Sequence, residues 1–252
     1  MRNEIAVKTS RIYCDIRIND AGIININSQE TIHYLLNVLR SKVGDKVRVF
    51  NPDDGEYICC IQSIISNKQG IILQLLEQLR HPHVPSTPIV LGMSIIKNMG
   101  ECVDIATQMG ADIIVPVIAQ RSQLRSVNVK KLTKIMISSA EQSERLSLPL
   151  LLNPMLLTDF LSQYQNVVVA NEHHTAQEPS ILEKKTDIVN ANPVAMLVGP
   201  EGGFTTQECH MFHESQCISI KLHENILRAE LAVGVLLAQM QMLLYNQFAP
   251  QS

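Results

Sequence analysis

The chain has 252 residues, 46% hydrophobic and 18% charged, with a formal net charge of −3, which suits one large domain or a small domain plus a medium one around a real core. With no Trp and 4% aromatics, recognition of single strands by stacked aromatic side chains is a poor fit. Met1 to Ser10 carry no apolar run of a signal peptide, and the most apolar stretch, Leu231 to Tyr245, contains Gln239 and Gln241 and falls short of the roughly 20 residues that span a bilayer, so no membrane partner is expected.

The chain opens with short strand signals at Arg11-Ile12-Tyr13 and Ile23 to Ile26. Ser28 can cap a helix reaching Leu39, with Ile32, Leu35, Leu36 and Leu39 on one face. Val47 to Phe50 and Tyr57 to Ile65 flank Asn51-Pro52-Asp53-Asp54-Gly55 and read as a hairpin. Ile71 to Leu75 adds a strand, and a small barrel fits the pattern. Three prolines in His81-Pro82-His83-Val84-Pro85-Ser86-Thr87-Pro88 make a stiff linker over 81–88, dividing a domain at 1–80 from one at 89–252.

After the linker, strands and helices alternate. Ile89 to Ile96, Ile113 to Ile118, Val167 to Ala170, Val194 to Val198 and Ile218 to Ile220 are strand-like. Helices are expected at Glu101 to Met109, at Val129 to Leu146, after a capping box at Thr205-Thr206-Gln207-Glu208, and from about Asn225 to Asn246. Apolar strands alternating with helices imply an α/β domain with a parallel sheet covered on both faces.

Three segments can carry chemistry. Gly199-Pro200-Glu201-Gly202-Gly203-Phe204 lies between a buried strand and a capped helix, where open α/β sheets bind ligands. Its glycines permit close backbone approach, and it matches neither a Walker loop nor G-x-G-x-x-G. A sharp turn with nothing bound would use the same spacing. Leu222 to Glu230 also follows a strand and opens a helix. Arg228, in the predicted first turn, opposes the helix dipole, which suits either a role toward developing negative charge or a salt bridge to Glu201 or Glu224. Glu141 and Arg145 are four apart on a predicted helix and can pair.

The six cysteines form no C-x-x-C pair and are expected as reduced thiols of a cytoplasmic protein. Cys209, His210, His213 and Cys217 do not match a common zinc spacing, and no metal is expected. Charge is uneven along the chain. Residues 1–50 hold eight Lys and Arg against five Asp and Glu, residues 121–150 six against two, and residues 151–252 four against ten. A basic front can give an RNA partner a local footprint, and it can equally be a solvated face.

Together these segments resemble the bacterial 16S rRNA uracil-N3 methyltransferases of the SPOUT class. The matching pieces are Arg11-Ile12-Tyr13, His33-Tyr34-Leu35 with Val38-Leu39-Arg40, Arg121-Ser122, Glu141-Gln142-Ser143 with Arg145, Leu197 to Phe204, and Ile226-Leu227-Arg228-Ala229-Glu230, in family order over nearly the whole chain. The resemblance implies an N-terminal PUA-like β-barrel that binds RNA and a C-terminal α/β domain with a trefoil knot. It implies S-adenosylmethionine held by Ala170, Asn171 and Glu172, by Gly199, Pro200, Glu201 and Gly203, and by Leu222, Asn225, Ile226, Leu227 and Arg228. On that reading Arg228 is expected either to stabilise charge on the reacting base or to grip the adjacent phosphate, with Glu201, Glu230 or water as the base; RNA contacts are expected from Arg11, His33, Arg40, Arg121, Arg125 and Arg145, with 16S rRNA or the assembled small ribosomal subunit as partner. A homodimer through the last helix is implied, with Ala229, Ala232 and Ala238 small enough for close approach. Alternatives are a SPOUT enzyme acting on another RNA, an RNA-binding protein without catalysis, and an unrelated nucleotide-binding enzyme.

Overall fold

A computed structural model describes residues 9–15, 17, 22–65, 69–82, 85–171 and 179–248. The chain packs into two units, Met1–Val84 with Ala140–Ser147, and Pro85–Ser139 with Leu148–Ser252.

The first unit is a five-stranded sheet: β1 (Arg11–Tyr13), β2 (Ile23–Ile26), β3 (Lys46–Asn51), β4 (Gly55–Ile64) and β5 (Ile71–Arg80), in the order β1-β3-β4-β5-β2. β1 runs parallel to β3, and the other pairs are antiparallel. The β3–β4 turn is set by the Asn51 side chain, whose Oδ1 accepts from the N–H groups of Asp53 (2.9 Å) and Asp54 (2.7 Å). Gly55 then takes φ +96°, a conformation open to glycine. Ile12, Ile24, Val47, Val49, Ile61 and Leu73 are among the apolar side chains of one core, and the residues that alternate with them on β1 and β3, Arg11, Arg48 and Phe50, are buried on the opposite face.

Helix α1 (Gln29–His33) starts at Ser28, whose hydroxyl accepts from Thr31 N–H, and widens into a π turn over Tyr34–Val38. Ile32 and Leu35 are buried as expected, but Leu39 is 36% exposed. The π turn closes a longer ring, with Leu39 N–H on the Tyr34 carbonyl, and so rotates Leu39 off the predicted face.

A buried carboxylate organises this unit. Glu56 is fully buried and accepts from Arg11 (3.1 Å), Arg48 (2.7 Å) and Arg80. Arg11 also donates to the carbonyls of Ala140 (2.6 Å) and Arg145 (2.8 Å) and stacks on the Phe50 ring. Arg80 donates to the Glu144 carbonyl, Arg48 to the Glu144 carboxylate, and Tyr13 N–H to Glu141. These bonds correct the sequence reading of the helix that begins at Val129, which ends at Gln142 rather than Leu146. The Ala140 carbonyl is bonded by a guanidinium, and Glu144 turns to φ +58°. Arg145 therefore lies beyond the helix and does not share a helical face with Glu141. Likewise β5 runs five residues past the apolar run that predicted it, ending on Arg80 beside Glu56.

The second unit is a parallel sheet. Strands β6 (Ile89–Ser94), β7 (Ile113–Ile118), β8 (Leu150–Leu151), β10 (Val168–Ala170), β11 (Val194–Val198) and β12 (Ile218–Ile220) stand in the order β12-β10-β11-β6-β7-β8, and β9 (Met155–Leu156) also pairs with β7. Every residue of β6 and β11 is buried, as the continuous apolar runs predict. Helices α2 (Met99–Gln108), α3 (Val129–Gln142) and α7 (Ala229–Phe248) supply apolar residues to one core, and α4 (Leu157–Gln163) and α6 (Thr206–Glu214) to another. Gly92 in β6 makes room for the Phe160 ring, which a Cβ there would meet at 2.6 Å. Strands β8 and β9, helix α4 and the short α5 (Lys185–Val189) are additions to the sequence reading. No helix among the described residues is long and apolar enough to cross a membrane.

Burial alone would raise the Glu56 carboxyl's pKa, but its guanidinium partners offset this and hold it below the ordinary carboxylate range. A depressed carboxylate contributes stability above its unfolded pKa of about 4.3 and loses it as pH falls through the folded value. Glu56→Gln is expected to cost about 3–5 kcal/mol, because Arg11 and Arg48 stay buried with part of their partner removed. Urea denaturation at pH 7 and in steps below pH 4 checks this. The variant should lose less further stability on acidification than the native chain, and equal acid slopes would refute the assignment.

Candidate active site

The loops that follow β10, β11 and β12 leave neighbouring parallel strands at one edge of the second unit's sheet. The strands end in register, Ala170 beside both Val198 and Ile220. The described residues at these strand ends and in the loops after them line a pocket with about 540 Å³ of open space, part of it solvent. Ala170 and Asn171 line it from the first loop, Gly199, Pro200, Glu201 and Gly203 from the second, and Leu222, Asn225, Ile226 and Leu227 from the third. Glu172 and His173 lie outside the described residues. Arg228 is exposed and is not among the lining residues, although Leu227 and Ala229 on either side of it are.

The Gly199 loop is shaped by local chemistry. Gly203 adopts φ +64° and donates its N–H to the Pro200 carbonyl at 2.8 Å. A Cβ on Gly199 would meet the Phe204 ring at 2.9 Å. That ring is held edge-on against Phe212, with centroids 4.7 Å apart. Thr205 and Glu208 form the predicted capping box of α6. Glu208 is 5% exposed and accepts from Thr205 N–H (2.8 Å), from the Thr205 hydroxyl (3.0 Å) and from Gln120 N–H in the loop after β7 (2.8 Å). From that same loop, Arg121 donates to the carbonyls of Gly202 (2.6 Å) and Phe204 (3.5 Å). The third loop is braced by Gln239 of α7, which donates to the Leu222 carbonyl at 3.3 Å.

Phe204 and His223, inside the two segments singled out in the sequence, and Val198, Ala229 and Ala232, which were not assigned to the ligand, complete the lining. Ala229 and Ala232 were expected at a dimer contact. They are buried within the chain and form part of the pocket wall, while Ala238 is exposed. Their i, i+3 spacing was the available signal, since small residues three apart let a ligand as well as a helix come close. Helix α7 begins at Ala229, not near Asn225. Residues 225–228 stay non-helical, with Asn225 N–H donated to His223 Nδ1, which leaves this segment free to wall the pocket. Arg228 precedes the helix, and its carbonyl accepts the first helical bond, from Ala232 N–H.

Among the described residues of the lining, Glu201 is the one formally charged side chain, and none is a Lys or Arg. Such a wall suits a neutral or cationic ligand better than a polyphosphate. The side chains of Glu201 and Arg228 have no hydrogen-bond or ion-pair partner among the described residues, so the expected salt bridge of Arg228 is not formed; Glu224 bonds Lys221 instead. Burial, followed by nearby carboxylates, pushes the Cys102 thiol up to about 12, which removes it as a nucleophile. Among the described residues no group of three or more His, Cys, Asp or Glu is placed to hold a metal ion.

The residues expected at RNA fall into different settings. Arg11 is 7% exposed and committed to Glu56 and two carbonyls, so burial corrects its assignment to an RNA surface. Arg145 is half-buried, with Nε on Ser147. His33 and Arg40 are exposed, Arg40 at φ +57°. Arg125 is exposed and donates to the Ala119 carbonyl, and Arg121 is exposed while it braces the Gly199 loop.

Residues 83–241 match the family of RNA methyltransferase domains, and residues 26–76 match the RNA methyltransferase PUA domain. The chain is 37% identical to the ribosomal RNA small subunit methyltransferase E of Rickettsia conorii, over 94% of this chain and 97% of that one. It is 29% identical to the protein of the same name in Buchnera aphidicola subsp. Schizaphis graminum, over 92% and 95%. Its fold is similar to the Neisseria gonorrhoeae ribosomal RNA small subunit methyltransferase E solved with S-adenosyl methionine, with a TM-score of 0.79 and 23% identity over 93% of this chain and 98% of that one.

Gly203→Ala places a Cβ in the left-handed region and is expected to cost about 1–2 kcal/mol. Thermal unfolding checks this, and an unchanged melting temperature would show that the loop does not need this conformation.

Proposed function

The chain belongs to the RNA methyltransferase family that carries a PUA domain, and on that premise we propose that it uses S-adenosylmethionine to methylate N3 of a specific uridine in the 3′ decoding-region part of 16S rRNA. The observation that carries this reading is the pocket at the ends of β10, β11 and β12, walled by the Gly199–Gly203 loop and by Leu222, Ile226 and Leu227. That apolar surface suits a heterocycle, and Glu201, the one formally charged side chain among the described lining residues, is tolerant of a sulfonium. Bound there, S-adenosylmethionine supplies an electrophilic methyl group.

The chain's own residues supply orientation and proton handling. Uracil N3 carries a proton and is a weak nucleophile until it leaves. Glu201, without a partner among the described residues, accepts that proton. Arg228, likewise without one, stabilises the negative charge that spreads to O2 and O4 as N3 loses its proton, charge that is discharged as N3 takes the methyl group. The barrel domain at 1–80 binds RNA with exposed His33 and Arg40, and Arg125 of the 89–252 domain and Arg145 contact the same RNA. The domain at 89–252 carries the chemistry on a chain threaded as a trefoil knot. The protein works as a homodimer through α7, where Leu231 and Met242 stay more than half exposed, and acts in the cytoplasm on 16S rRNA or the assembled small subunit.

Mass spectrometry of 16S rRNA from a strain lacking the gene should show one methyluridine missing, restored by the native chain. Arg228→Ala should lower methylation about 100-fold while its affinity for S-adenosylhomocysteine changes less than about threefold. Full activity in Arg228→Ala would remove that residue from the reaction, and an unaltered rRNA in the deletion strain would remove the proposed substrate.

A further inference from the structure

The peptide unit between Gly202 and Gly203 is held at both of its polar ends. Its N–H, on Gly203, donates to the Pro200 carbonyl at 2.8 Å. Its carbonyl, on Gly202, accepts from Arg121 Nη1 at 2.6 Å. With glycine on each side, this plane has little steric resistance to flipping. A flip would carry the Gly203 N–H away from Pro200 and change the wall that Gly203 gives the pocket.

Arg121 is itself fixed from behind. The loop that carries it is tied to the same strand–helix connection by the buried Glu208, through Gln120 N–H. It is tied to the end of β6 by Gln123, whose N–H donates to the Ile95 carbonyl and whose Oε1 accepts Lys97 N–H. Ser122 closes the turn by accepting Ala119 N–H at 2.9 Å. The guanidinium is thus delivered from a braced loop to one flexible carbonyl, and a charge-assisted bond of this length is among the stronger ones.

We propose that Arg121 is a positioning residue for the cofactor loop: its guanidinium locks the Gly202–Gly203 peptide plane in the orientation that shapes the pocket wall. The inference rests on the methyl-donor reading of the pocket and moves Arg121 from RNA contact to loop control. A pure RNA role and this one differ in what they change. The first weakens RNA binding alone, and the second weakens cofactor binding with no RNA present.

The test compares the full native chain with Arg121→Ala and Arg121→Lys. Calorimetry with S-adenosylhomocysteine should show about tenfold weaker binding for Arg121→Ala, the size expected from one lost charge-assisted bond. Arg121→Lys should recover part of it, since an ammonium can reach the carbonyl with one donor. KM for S-adenosylmethionine should rise in the same ratio, KM for rRNA should stay, and the melting temperature should hold because Arg121 is exposed. In the ligand-free protein, hydrogen exchange in the peptide spanning residues 199–205 should be faster in Arg121→Ala than in the native chain. Unchanged exchange overturns the proposal whatever the pocket binds, and so does native-like affinity in Arg121→Ala. A native chain that shows the exchange difference but binds no S-adenosylhomocysteine would overturn the methyl-donor reading while leaving the loop control in place.

Discussion

Strand β10 lies between β12 and β11, parallel to both, so the chain leaves three neighbouring strands at the same edge of the sheet. Parallel strands point all their carboxyl ends one way, and nothing in the ladder closes that edge. The pocket follows from this constraint. Val198, Ala170 and Ile220 stop level with one another, so the described residues that follow them, Asn171, Gly199 to Glu201 and Leu222, meet around a common space. The helix that continues from the third loop then sets Ala229 and Ala232 against that space. A bulkier pair of residues there would fill it, and a helix begun at Asn225 would take away the irregular segment that forms its third wall.

The two units use buried carboxylates in opposite ways. Glu56 is surrounded by guanidiniums and depends on full charge neutralisation, since an ionised group in such a place is costly without partners. Glu208 has no cation among its described partners. It is satisfied by two N–H groups and a hydroxyl at the start of α6, where the helix dipole favours negative charge. Each carboxylate ties together segments far apart in the sequence. Glu56 gathers the arginines that in turn hold the carbonyls of residues 140, 144 and 145. Glu208 fastens the loop after β7 to the Gly199 loop. Several motif residues with the look of a surface for RNA, Arg11 above all, are therefore spent on cohesion.

Local signals predict β1 to β7, β10 to β12, the Thr205 capping box and the position of the glycine loop, because each depends on residues a few places apart, whereas the two-residue strands β8 and β9 are too short to leave such a signal. The endings of α3 and the start of α7 were not legible. The first is decided by Arg11 taking the Ala140 carbonyl across 129 positions, and the second by residues 225–228 walling a pocket rather than continuing a helix. Arg121 shows the same limit. Its sequence neighbours mark it only as basic, while its bond to Gly202 spans 81 positions and has no periodicity to announce it. The π turn that exposes Leu39 is a different case, since a 3.6-residue pattern cannot register one wider turn.

What remains after these bonds are counted is as informative as the bonds. Glu201 and Arg228 stand without partners among the described residues, in a unit where Glu208, Arg121 and Arg125 are all engaged. Arg228 lies at the N-terminal end of α7, the unfavourable end for a cation, and Glu201 stands on a glycine loop that offers it no donor. A chain selected for stability alone would pair or replace both, since such changes commonly gain a fraction of a kcal/mol or more. A group already committed to a neighbour cannot take a proton from a substrate or answer charge that develops in a transition state without first breaking that commitment. In the proposed reaction an uncommitted carboxylate and guanidinium would be free to take the proton and answer the charge, while the Gly203–Pro200 and Arg121–Gly202 bonds hold the shape of the loop that carries Glu201.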